Sequence, residues 1–257
     1  SGVCPSVVIN STVNVTALSS AGTATITAGN STICSSATGP TINLTGAVVG
    51  DVQWWERPAA SSTLTQNNTP GATAPIINQT ASKYYKAIVT NGICSSASSN
   101  EILVTVDLAS SAGTITPSTQ TICYNGTPAA IALTGSVGTI QWQTSSTVGG
   151  TYTNMVGLTA STLPSASIDN LNTAFYKAVV TNGVCAAATI TATVNVDLAT
   201  VTGTAAIASG NATICSSTTA PVINLTGNTG LVQWQSSLTS GGTFTNTTGT
   251  SSPLVDN

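Results

Sequence analysis

Three short segments alternate apolar and polar side chains around a tryptophan: Val52-Gln53-Trp54, Ile140-Gln141-Trp142 and Val232-Gln233-Trp234. Side chains in a strand alternate between faces, so Val52 and Trp54 share one face and Gln53 takes the other. A second alternating stretch, Tyr84 to Val89, runs into Asn91-Gly92 and then Cys94. It returns as Phe175 to Val180, Asn182-Gly183 and Cys185, with Tyr85, Ala87 and Val89 matched by Tyr176, Ala178 and Val180 on one face. Asn-Gly after a strand predicts a type I′ hairpin, with a next strand that opens at the cysteine.

These signals recur with a period of about 90 residues, which marks a tandem array. Residues 1–19 read as the last strands of a truncated repeat, with Val7-Val8-Ile9 and Val13-Asn14-Val15 as strand material. Residues 20–108 and 109–198 read as full repeats, and 199–257 as the opening of another. Each full repeat carries about seven short strands separated by turn signals, the pattern of a β-sandwich. The expected class is therefore all-β, a tandem series of β-sandwich domains of about 90 residues each. Trp54, Trp142, Trp234, Tyr85 and Tyr176 are its expected core anchors, and each tryptophan can bury roughly 150–250 Å².

Composition narrows the function classes. Charged residues make up 4% of the chain, with Lys+Arg 4, Asp+Glu 7 and no histidine. The net charge of -3 offers no basic footprint for nucleic acid. No apolar run reaches the ~20 residues of a membrane span. Six cysteines at repeat-specific positions point to an oxidising, extracellular setting.

The order Cys34, Trp54, Tyr85, Cys94 resembles that of immunoglobulin-like domains, and the resemblance implies tandem Ig-like β-sandwich domains. It departs from the family where the second cysteine should follow the corner tyrosine by two residues. Ala87 and Ala178 hold that place, and the cysteine lies beyond the turn. The resemblance, so modified, implies bridges Cys34–Cys94 and Cys123–Cys185. Cys4 and Cys215 are then left unpaired within the chain or paired between chains. A closer resemblance is to the repeat modules of very large cell-surface proteins of Bacteroidota. It rests on Thr121-Ile122-Cys123, Leu133-Thr134-Gly135, Ile140-Gln141-Trp142-Gln143, Gly150-Thr151-Tyr152-Thr153-Asn154 and the hairpin. The first repeat departs from it at Trp55-Glu56-Arg57-Pro58. What it implies is export by the type IX route to the cell surface and service as an adhesin or stalk.

Candidate chemistry is sparse. Asp51, Glu56, Glu101, Asp107, Asp169, Asp197 and Asp256 form no carboxylate pair that recurs between repeats, and no histidine is present to act as a base. The expectation is no enzyme and no cofactor. Asp107 and Asp197 recur at repeat ends in Val-Asp-Leu-Ala. The favoured reading is an aspartate that accepts backbone N–H groups at a turn, against calcium at the repeat junctions, which wants 6–8 oxygen ligands. Lys86 and Lys177 alternate with inward residues, which favours solvated lysines over isopeptide bonds. Trp55 cannot share a face with Trp54 and is the candidate sugar contact. The expected function is a structural or adhesive extracellular repeat protein forming a cell-surface stalk or filament, with a carbohydrate-binding module as the alternative. Expected partners are neighbouring repeats or identical chains, joined end to end in one version by strand donation, with surface polysaccharide as a further candidate.

Overall fold

The computed structural model describes residues 2, 4–74, 76, 78–216 and 219–248. Residues 249–257, Asp256 among them, lie outside the described residues. The chain forms two compact units. One takes Ser1–Thr114, Gly135–Gln141 and Val179–Ile190, the other Ile115–Thr134, Trp142–Ala178 and Thr191–Asn257. Among the described residues, no helix is long and apolar enough to cross a membrane.

The first repeat contains β1 (Ser20–Ala28), β2 (Thr32–Cys34), β3 (Thr41–Val49), β4 (Asp51–Pro58), β5 (Thr65–Pro70), β6 (Lys83–Thr90), β7 (Ala97–Ser98) and β8 (Ile102–Asp107). β1 and β3 pair antiparallel, and the second sheet runs β2-β8-β6-β4-β5, with β7 also on β6. The alternation along β6 buries Tyr85, Ala87 and Val89. They meet Trp54 of β4 and Ala24, Ile42 and Leu44 of the facing sheet in one core. Trp54 is fully buried and its indole Nε1–H donates to Gly71 O at 3.0 Å. A buried tryptophan usually keeps its one donor paired.

The second repeat contains β9 (Thr114–Thr116), β10 (Thr119–Cys123), β11 (Ile131–Thr134), β12 (Thr139–Ser145), β13 (Thr153–Asn154), β14 (Thr162–Leu163), β15 (Ala174–Thr181) and β16 (Ala188–Asp197). Its sheets run β10-β16-β15-β12-β13 and β14-β11-β9. Trp142 is fully buried here and donates from Nε1 to Ala160 O at 2.8 Å. Ile131, Leu133, Leu163, Tyr176, Ala178 and Val194 are buried as well.

One pairing in each repeat is parallel. β2 lies parallel to β8 with Cys34 opposite Asp107, and β10 lies parallel to β16 with Cys123 opposite Asp197. The cysteine strand therefore ends beside the point where the chain leaves its own repeat.

Two expectations are corrected. The described residues among 1–19 carry no strand, and Val7, Val8, Ile9, Val13 and Val15 are exposed. Apolar alternation makes a strand only when a sheet edge takes up its backbone groups, and among the described residues no edge does so here. Trp234 is only half-buried. Residues 199–248 form the pairs β17 (Thr204–Ser209) with β18 (Val222–Thr226) and β19 (Gln235–Ser236) with β20 (Thr245–Asn246). They hold no counterpart of the Tyr-Lys-Ala strand that covers Trp54.

The two core tyrosines differ. The Tyr176 hydroxyl accepts the Asp169 N–H at 2.7 Å. The Tyr85 hydroxyl is buried with no partner among the described residues. Tyr176→Phe is therefore expected to cost about 1 kcal/mol, whereas Tyr85→Phe removes an unpaired polar atom and is neutral or stabilising. Burial, and then the nearby Glu56 charge, raise the Tyr85 pKa above its ordinary value. The native state thus keeps this proton at a pH where the unfolded chain has released it. The tyrosine contribution is flat below the ordinary value of about 10 and is lost as pH rises beyond it. Urea midpoints at rising alkaline pH check this, and the Tyr85→Phe variant should show the shallower decline.

Candidate functional site

The feature built twice in this chain is the hairpin turn after β6 and after β15. Cys94 N–H donates to Asn91 O, and Cys185 N–H to Asn182 O, both at 3.0 Å. Gly92 and Gly183 sit at φ 55° and 51°, while Asn91 and Asn182 are not in the left-handed region. Positive φ only at the first central residue is the pattern of a type II′ turn, not the I′ turn that Asn-Gly predicts. Each cysteine closes its turn, and the next strand opens later, at Ala97 or Ala188.

The asparagines are freed for another task. Asn91 Nδ2 donates to Ala17 O and Asn182 Nδ2 to Leu108 O, each at 2.8 Å. Their backbone N–H groups donate to Ser19 Oγ and Ser110 Oγ, each at 2.9 Å. Cys94 Sγ lies 3.6 Å from Thr16 O, and Cys185 Sγ lies 3.6 Å from Asp107 O. So each turn docks on the segment that enters its own repeat, through the same atoms at the same distances. At the second junction the Asp107 carboxylate adds a further bond, accepting Val184 N–H on Oδ2 at 3.0 Å.

This docking brings Cys185 to the end of β8, where Cys34 already stands opposite Asp107. The two cysteines form a disulfide with Cα atoms 4.9 Å apart and a sequence separation of 151. The expected bridges Cys34–Cys94 and Cys123–Cys185 are thereby corrected. The partner types are those expected, a T-I-C strand and a hairpin turn, but the pairing is shifted by one repeat. The physical reason is the parallel β2–β8 pairing. It carries Cys34 to the exit of its repeat, while Cys94 is held at the entrance by Thr16, Ala17 and Ser19. Cys94 and Cys123 are not disulfide-bonded.

The other sequence candidates are spread elsewhere. Trp55 stands half-buried on the outward face of β4, in register with Gln66 and Lys86. Gln66 Nε2 donates to Gln53 Oε1 beside it at 3.0 Å, and the Arg57 guanidinium lies 4.0 Å over the Tyr84 ring. Arg57 also grips Glu101 through two bonds, which holds the Glu101 carboxyl below its ordinary range. Glu56 pairs with Lys83 at 2.6 Å. Lys177 lies 3.9 Å over the Tyr152 ring. In the second repeat a cavity of about 610 Å³ is lined by Thr144, Ser145, Thr151, Asp169, Asn172 and Tyr176, among others. Burial raises the Asp169 pKa, but hydrogen bonds from the Leu171 and Asn172 N–H groups and the Asn172 side chain outweigh it and leave the carboxyl below its usual range. Sequence reading misses the roles of Ser19, Ser110 and the docking asparagines. The clue is the serine that recurs after Val-Thr-Ala-Leu and Val-Asp-Leu-Ala at the two entrances.

Strand order, paired cores and duplicated turns define a tandem series of Ig-like β-sandwiches. The chain belongs to the family described as "Domain of unknown function (DUF8696)", whose model matches residues 21–108, 111–200 and 204–256. None of the curated proteins matches the chain. Among solved structures, the N-terminal eight Ig domains of Down Syndrome Cell Adhesion Molecule are similar at 17% identity and a TM-score of 0.36. That match covers 79% of this chain and 31% of the other. A Ca2+-stabilized adhesin that helps an Antarctic bacterium reach out and bind ice is similar at 18% identity and a TM-score of 0.31, over 84% of this chain and 60% of the other. The chain spans less than two-thirds of either structure.

Proposed function

We propose that this chain is a structural and adhesive segment of an extracellular repeat protein, working as a stalk or filament at a cell surface. The observation that carries this reading is the junction, where turn, entering segment and the Cys34–Cys185 disulfide fasten consecutive repeats. A covalent fastening between repeats serves a protein that is pulled along its length. It also belongs to an oxidising compartment, because cytosolic thiols are kept reduced. Little charge separates one copy from another, so repeats associate without strong repulsion. The test is to stretch single molecules of the full chain between a surface and a cantilever with reductant present, so that force reaches the residues between Cys34 and Cys185. Discrete unfolding peaks from the sandwiches are expected. Smooth extension with no peaks would overturn the reading.

The second reading is a carbohydrate contact on the outward face of β4. Its support is the half-buried Trp55 ring beside the Gln53 and Gln66 amides, an aromatic platform with hydrogen-bonding groups at its edge. A glycan array is expected to detect binding that Trp55→Ala reduces strongly. Binding unchanged by that substitution removes the site.

A further inference from the structure

The docking site for a hairpin turn is present a third time, without its turn. At the first entrance the turn meets Thr16 O, Ala17 O and Ser19 Oγ. At the second it meets Asp107, Leu108 O and Ser110 Oγ, and the disulfide closes on Cys34. The corresponding residues after β16 are Asp197, Leu198 and Thr200, with a hydroxyl again in the third place. Cys123 stands opposite Asp197 in the parallel β10–β16 ladder, as Cys34 stands opposite Asp107. The following backbone bond is copied too, with Ser35 N–H donating to Asp107 O and Tyr124 N–H to Asp197 O, both at 2.8 Å. Cys123 and Leu198 are exposed.

We propose that Cys123, Asp197, Leu198 and Thr200 form the acceptor for the T-N-G-x-C hairpin of a further repeat of this family, closed by a disulfide to Cys123. In both filled sites the asparagine lies 72 residues after the serine that receives its N–H. The same spacing from Thr200 falls beyond Asn257, so the hairpin that fills this site belongs to the continuation of the repeat that opens at residues 199–257. Cys94 is the reciprocal half-site. Its turn is docked, and its sulfur stands at Thr16 O, where the T-I-C cysteine of a preceding repeat would end. The disulfides thus run as a staggered ladder, each joining one repeat to the next and none closing within a repeat. Formation of each bridge takes two protons and two electrons from two thiols. A disulfide oxidant such as oxidised glutathione accepts them and leaves as two thiols.

The test extends the full chain past Asn257 with a copy of residues 166–198, which supplies the missing strand and turn. The protein is oxidised in glutathione buffer, its free thiols are alkylated, and the bridges are mapped by mass spectrometry without reduction. The expected bridges are Cys34–Cys185 and Cys123 to the copied Cys185, with Cys215 alkylated. A bridge from Cys215 to the copied cysteine, closed within one repeat, overturns the proposal. A second protein guards against a misfolded third repeat. In it, residues 1–198 are followed by a complete copy of 109–198, a sequence that forms a sandwich in the parent chain. There the original Cys123 is expected to pair with the second copy of Cys185. Cys123 left alkylated while Cys34–Cys185 forms, or a bridge between the copied Cys123 and the copied Cys185, overturns it.

Discussion

Stretched in buffer without reductant, the full chain is expected to stop short of its full contour length, and reductant is expected to add roughly 500 Å. The gain follows from the sequence separation of 151 between Cys34 and Cys185. Force applied to the two ends passes through the disulfide and bypasses everything between those cysteines. β3 to β8 and most of the second repeat are therefore shielded from extension while the bond lasts. A taut chain spans at most about 3.3–3.6 Å per residue, which sets the size of the increment. Cys34→Ser should show the longer extension with or without reductant. The same trace before and after reduction would mean that the bridge is absent in solution. Bridges closed within repeats, as Cys34–Cys94 and Cys123–Cys185, would each hide a shorter loop and leave the junction free to extend.

Gly183→Ala is expected to cost about 2–4 kcal/mol, against about 1–2 kcal/mol for Gly92→Ala, although the two glycines hold the same place in the repeat. Both stand in the left-handed region, so both variants carry the steric cost of a Cβ there. The difference comes from what the Cβ meets. At Gly183 it would run into Asp107 Oδ2, the oxygen that accepts Val184 N–H. The carboxylate must leave, and a charge-assisted bond worth about 1.5–3 kcal/mol weakens with it. At Gly92 the nearest atom is Thr16 Cγ2 at 3.4 Å, an ordinary contact. Urea unfolding of the two variants measures the gap. Asp107→Ala placed on top of Gly183→Ala removes the clash and should bring the combined cost below the sum of the two single changes. Equal costs for the two glycine variants would show that Asp107 does not pack on the turn in solution.

The sandwich class and the repeat period are legible in the sequence because each rests on local pattern. A strand with one buried face must alternate, so Tyr85, Ala87 and Val89 show their face without any knowledge of the partner sheet. A tryptophan in such a strand points the same way as its apolar neighbours, which is how Trp54 and Trp142 enter the interior. The turn type is not legible in the same way. Asn-Gly is a turn former by habit, and here the Asn91 and Asn182 side chains serve the docking segment instead. The described residues among 1–19 lack the expected strand for a related reason. Alternation states which face could be buried and does not supply the neighbour that buries it.

The order of apolar and polar residues determined the inward faces of the sandwich strands, and the recurrence of their motifs determined the length of the repeat. Only the tertiary structure decided which cysteines meet. That choice rests on a parallel pairing that carries Cys34 to the exit of its repeat, and on a turn that docks Cys185 at the same exit. Both are contacts between residues far apart in sequence, and a local pattern carries no record of which distant segment will lie beside it.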